Sequence, residues 1–282
     1  MTSIYTPMKK LTLTGIAAAV LITYSCSTVP ISGRNRVSFV NESEMQTAAA
    51  QSYTTLLKDP QTKILNNADA QRVKRIGQKI AAAVTQYMNA NGYAAQIQGF
   101  NWEFNLIDSK EVNAWCMPGG KVAVYSGILP VAKDDAGLAT VMGHEIAHAV
   151  AQHSSERASK AAVAEGLGGL LGAATGNKSA TTQNVINQVY GIGAQGFYLL
   201  PNSRTQELEA DHLGLIFMSM AGYNPSNAVT FWQRMAAVSA SSQKPAEFMS
   251  THPADATRIA QIQKDLPEAL RYYNSTSGKP VK

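Results

Sequence analysis

The stretch His144-Glu145-Ile146-Ala147-His148 puts two imidazoles four residues apart with a carboxylate beside the first. On a helix, positions four apart share one face about 6 Å from each other, so both rings can reach one ion. Neutral imidazole suits Zn²⁺, and a catalytic zinc takes three protein ligands plus a water whose pKa it lowers towards about 7. Glu145 is rotated about 100° from His144, which sets its carboxylate beside that water as a general base. A five-residue pattern recurs by chance, so its surroundings have to carry the reading. Here it lies among Leu138, Val141, Ile146 and Val150 at helical spacing, and a candidate third ligand follows downstream.

That ligand is Glu207, in Glu207-Leu208-Glu209-Ala210-Asp211. Glu207 and Asp211 share a helix face, whereas Glu209 points about 200° away from Glu207 and reads as a solvated charge. A helix crossing the His144 helix would offer Glu207 to the metal. It would also offer Asp211 to the free ring nitrogen of a ligand histidine, fixing its tautomer. His212, about 140° from Glu207, and His153, about 180° from His144 on a continuous helix, read as structural or surface residues.

These side chains need a scaffold. Asn41 to Glu44 offers a helix start with helix to Leu57, and Val73, Ile76, Ile80, Val84 and Met88 recur at helical spacing from Asp69 to about Asn91. Trp102 to Ile107 alternates like a strand. Asn113 to Met117 and Val122 to Tyr125 read as two more strands around the turn Pro118-Gly119-Gly120. Helix resumes from about Asp135 to about His153. The Gly- and Ala-rich residues 161–200 read as a loop with a short helix. Ser203 to Gln206 fits a capping box opening a helix towards Met220, and a last helix covers Ala256 to Leu266. The expectation is an α+β, mainly helical domain with a small β-sheet over residues 41–270, followed by a tail, 271–282.

The N-terminus reads differently. Lys9 and Lys10 precede an apolar run from Leu11 to Ile22 and then Cys26, so residues 1–25 read as a signal peptide. The run is short for a bilayer span. A cysteine at this place resembles a bacterial lipobox, with Thr23 and Tyr24 standing where Leu and Ala are usual. That implies lipidation at Cys26, with residues 26–40 as a tether; the alternative is an ordinary signal peptide or N-terminal anchor that happens to contain a cysteine. Cys116 is then unpaired, and no disulfide framework is expected. Hydrophobic residues make up 45% and charged residues 15%, enough for a sizeable core. The net charge of +5 comes without a dense Lys/Arg patch, which argues against nucleic acid as a partner.

Taken together, Asn113-Ala114 with Pro118-Gly119-Gly120, GHEIAHAVAQH (143–153), SRTQELEAD (203–211) and HPADATRI (252–259) resemble one family. It comprises the zinc metallopeptidases that include the CaaX prenyl-protein protease, the HtpX-type membrane protease, the mitochondrial Oma-type protease and the periplasmic BepA-like proteases. The resemblance implies a zincin-like domain with one zinc on His144, His148 and Glu207, Glu145 catalytic and Asp211 supporting. It also implies polypeptide substrates, unfolded or misassembled envelope proteins among them, and with the lipobox-like N-terminus the expected place is the bacterial envelope, at the outer membrane facing the periplasm. The strand at Asn113 and Ala114 can pair with an extended substrate or be a plain hairpin. His252 and Arg258 are candidates to stabilise an oxyanion, and His252 alternatively to fill the open zinc position. The rival to a zinc endopeptidase is a metal-stabilised binding or chaperone-like lipoprotein without significant turnover.

Overall fold

The computed structural model describes residues 26–38, 40–164, 202–241, 247–252 and 256–276. Residues 1–25, where a signal peptide is expected, and most of the Gly-rich segment lie outside the described residues. Strands β1 (Cys26–Thr28) and β2 (Asn35–Val37) form an antiparallel hairpin ahead of helix α1 (Glu42–Lys58) and helix α2 (Ala68–Ala90). Then come β3 (Glu103–Ile107), β4 (Ala114–Met117), β5 (Lys121–Tyr125) and a short helix α3 (Leu129–Ala132). Helices α4 (Asp135–Val150), α5 (His153–Ala164), α6 (Arg204–Met220), α7 (Asn227–Ser241), α8 (Glu247–Thr251) and α9 (Ala256–Thr276) complete it. The chain is α+β and mainly helical, as its periodicities predict.

Caps mark several helix starts. The Asn41, Asn67 and Asp134 side chains accept backbone N–H groups at the starts of α1, α2 and α4. Ser203 and Gln206 form the full capping box of α6. Sheet order is β3-β5-β4, with β3 parallel and β4 antiparallel to β5. Gly119 and Gly120, at φ 79° and 82°, make the β4–β5 turn. Side chains alternate between two cores: Ala114, Cys116, Val122 and Val124 join α2 and α4, whereas Trp115, Met117 and Ala123 join α1 and Ala158 of α5. The sheet is therefore buried on both faces, and β4 stands at its edge.

The approach of α4 and α6 decides the site. Gly143 and Gly214 meet at their crossing, and a Cβ on Gly214 would stand 2.8 Å from the His144 backbone nitrogen. Bare backbone at both positions lets the α6 carboxylates reach the α4 histidines.

Three boundaries differ from expectation. Residues 26–37 are a docked hairpin rather than a free tether, with Val29 fully buried and Arg36 bonded to the carbonyl of Ala151. Helix α9 runs on to Thr276, beyond the expected helix end at Leu266. Helix α4 stops at Val150, because Gln152 takes φ 52° and the chain turns before α5. Among the described residues no helix is long and apolar enough to cross a membrane.

Candidate metal centre

Helix α4 carries His144, Glu145 and His148 into the interior, and α6 brings Glu207 and Asp211 onto the same spot from across the glycine crossing; all five are buried. The two Nε2 atoms of His144 and His148 stand 3.0 Å apart. Glu207 Oε1 lies 3.3 Å from His148 Nε2, and Glu207 Oε2 lies 3.5 Å from His144 Nε2. His252 adds a fourth donor, its Nδ1 at 2.9 Å from Glu207 Oε1 and 3.2 Å from His144 Nε2. Ligand atoms of all four residues lie within 4.8 Å of one another.

Three imidazoles and a carboxylate are a zinc donor set. Bonds of 2.0–2.1 Å in a tetrahedron put neighbouring donors about 3.3 Å apart, which matches these separations. Proton placement supports the fit. Asp211 Oδ1 lies 3.0 Å from His144 Nδ1, so the proton sits there and the Nε2 lone pair faces inward. A converging set of lone pairs and a carboxylate, all away from water, calls for a cation.

The surrounding charges are consistent with this. Burial would raise the Glu207 carboxyl, but His252 and Arg258 hold it well below the usual range. Burial drives His148 well below its ordinary value, leaving it neutral. Burial also pushes Glu145 up to about 7, opposed by His252 and reinforced by Glu207. Glu145 Oε1 makes no hydrogen bond, and its neighbour His252 Nε2 is 3.5 Å away. A buried carboxyl with a vacant acceptor beside a donor cluster is placed to take a proton.

Asp211 backs His144 as the helix face predicts, and Arg258 backs Asp211 in turn, donating through Nε and Nη2. Arg258 Nη1 also pairs with Glu207 Oε2 at 2.9 Å, and its guanidinium lies 3.7 Å over the Trp232 ring. Arg258 thus holds both α6 carboxylates, Asp211 and Glu207, behind the histidines.

Two expectations are corrected. Glu209 is buried, not solvated: α5 and the N-terminal hairpin cover the face of α6 opposite the metal. His153 is fully buried and sits 2.7 Å, Nδ1 to Nδ1, from His148. The half-turn separation assumed an unbroken helix, and the left-handed Gln152 folds His153 back. His212, by contrast, faces Asp265 and Glu268 away from the site.

Trp115, Cys116, Met117, Glu145, His148 and His252 line the cleft that opens on this centre, with Ser154, Arg157 and Asn202 opposite. Asn113 lies just before β4, its side chain accepting from the Ala114 N–H, and the cleft wall is the rest of that strand, Trp115 to Met117. Arg157 carries no motif in the sequence; only the α4–α5 turn places it here.

Residues 67–266 match the profile of peptidase family M48. The chain belongs to that family. This M48 peptidase is 33% identical over 255 residues to the mitochondrial metalloendopeptidase OMA1 of Saccharomyces cerevisiae, covering 88% of this chain and 71% of the yeast protein. It is 25% identical over 258 residues to human OMA1, covering 89% of this chain and 48% of the relative. With the beta-barrel assembly-enhancing protease of Escherichia coli it shares 26% identity over 200 residues, 64% of this chain and 38% of that protein. The M48 chain is a zinc metalloendopeptidase acting on polypeptides.

Proposed function

We propose that this chain holds one zinc on His144, His148 and Glu207 and cuts unfolded or misassembled polypeptides in a bacterial cell envelope, with Glu145 as proton carrier. The observation that carries the reading is the convergence of two α4 imidazoles and the α6 carboxylate beside a buried Glu145 whose Oε1 makes no hydrogen bond. Bound there, zinc supplies a Lewis acid that polarises the scissile carbonyl and makes water acidic near neutral pH. Glu145 takes the proton from the attacking water and passes it to the leaving amine. Strand β4, paired only with β5 among the described residues, gives an extended substrate a backbone edge along the cleft.

The His252 ring offers a fourth donor to the cluster, which supports a self-blocked resting enzyme over an oxyanion role. Replacing it should raise peptide-bond cleavage without loss of zinc; a fall in cleavage would instead support a catalytic part. Export by residues 1–25 and lipidation of Cys26 follow from the sequence pattern. Cys26→Ser should move the protein from membrane to soluble fractions and abolish fatty-acid labelling.

Digestion of unfolded casein tests the activity itself. Zinc-loaded protein should cut it and chelator-treated protein should not. Suppression of aggregation without cutting would favour the chaperone-like alternative.

A further inference from the structure

Metal-ligating histidines need their second nitrogen held, because a ring that flips its proton or its plane loses the ion. In His144 that task falls to Asp211. Among the described residues no carboxylate touches His148 Nδ1: its partner is another imidazole, His153, at 2.7 Å. The far nitrogen of His153 faces Glu209, Nε2 to Oε2 2.9 Å. Glu209 in turn accepts from Arg34 Nε at 2.8 Å and from the Ser32 hydroxyl, both in the N-terminal hairpin.

The protons in this chain have one arrangement compatible with a metal on His148. A single proton fits between two Nδ1 atoms at this distance. The ionised Glu209 only accepts, so His153 carries its proton on Nε2 and leaves Nδ1 as a lone pair. His148 must then supply the shared proton from its own Nδ1, which bares Nε2 towards Glu207 and His144. The reverse order would put a proton on Nε2 and aim it at the ion.

We propose that His153 and Glu209 are positioning residues that lock the tautomer and plane of His148, acting as an imidazole-extended counterpart of the Asp211 contact. The inference rests on zinc binding at His144, His148 and Glu207. His153 touches neither the metal position nor the cleft; it acts through His148.

Nitrogen NMR of the zinc-loaded full chain, with zinc affinity from chelator competition, tests it. In the wild type, His148 should show a proton on Nδ1 and a metal-shifted Nε2, and His153 a proton on Nε2 alone. His153→Phe, which removes the acceptor, should lower zinc affinity about 10–100-fold. His153→Gln, with an acceptor and a donor at the two ends of its amide, should recover most of that loss. A proton on His153 Nδ1, or a Gln variant as impaired as Phe, would overturn the proposal while leaving wild-type zinc binding intact. Unchanged affinity in both variants would do the same. Absence of any metal shift at His148 in the wild type would instead remove the ligand assignment, and the relay with it. If His153→Phe does not fold, the wild-type spectrum and the Gln variant decide.

Discussion

His144 and His148 sit one turn apart on the same helix and present the same atom, Nε2, to the same point, yet they are supported in different ways. His144 is backed by one carboxylate from α6, and Arg258 clamps that carboxylate. His148 is backed by His153, then Glu209, then Arg34 and Ser32 of a hairpin over 100 residues away in sequence. The first support is local to two crossing helices. The second reaches from the catalytic helix to the start of the described chain, through three separate elements. A direct contact rests on one residue, while a relay spreads the same task over several linked groups that polarise one another.

The largest effect should come from the shared ligand. Glu207→Gln removes the charged oxygens that face both histidines, and zinc affinity should fall by more than the about 10–100-fold that an outer partner costs. Chelator competition on purified protein measures it, with circular dichroism as a check of folding. Retention of wild-type affinity would show that the carboxylate is not a ligand and would dissolve the comparison altogether.

A smaller effect separates the two supports. Asp211→Asn should cost about 10–100-fold in zinc affinity, because it weakens the hold on His144 and uncouples Arg258. Glu209→Gln should cost less, since its amide oxygen still accepts from His153. Equal losses at the two positions would mean that the relay is as stiff as the direct contact.

Smallest is an effect of acid on the hairpin side alone. Burial would raise Glu156 and Glu209, but hydrogen bonds from Arg34 with Lys160 and Gln206 to the first, and from His153, Arg34 and Ser32 to the second, hold each at about 2. A carboxyl depressed on folding stabilises fully above its ordinary value of 4.5 and loses that contribution as pH falls through about 2. Wild type should therefore lose more thermal stability between about pH 5 and pH 2.5 than Arg34→Ala does. Identical acid sensitivity would mean the hairpin is held by packing at Val29 rather than by these charges.

The same contrast explains what could be read from sequence. His144, Glu145, His148, Glu207 and Asp211 follow from helix geometry, because each pair lies within one unbroken helix where angle and spacing are fixed. The strands around Phe104, Cys116 and Val122 follow from alternation and two turn glycines. His153 and Glu209 escaped because their placement depends on tertiary facts. A non-glycine residue, Gln152, adopts a left-handed backbone that no periodicity signals, and the outward face of α6 is covered by a hairpin that composition alone reads as a tether. Trp232 and Phe248 around His144 were equally silent, since aromatic residues at helical spacing announce only a core. Gly143 and Gly214 mark the crossing, but nothing in either helix says which partner it meets.

Peptide-bond cleavage at this centre depends on Glu145 being the proton carrier and not a ligand. Zinc content and casein cleavage, measured on the same preparation of Glu145→Gln, test that most directly. One zinc per chain should remain while cleavage falls by about 10²–10⁴-fold, the usual contribution of a general base. Turnover near the wild-type rate with zinc in place, or loss of the zinc itself, would contradict it.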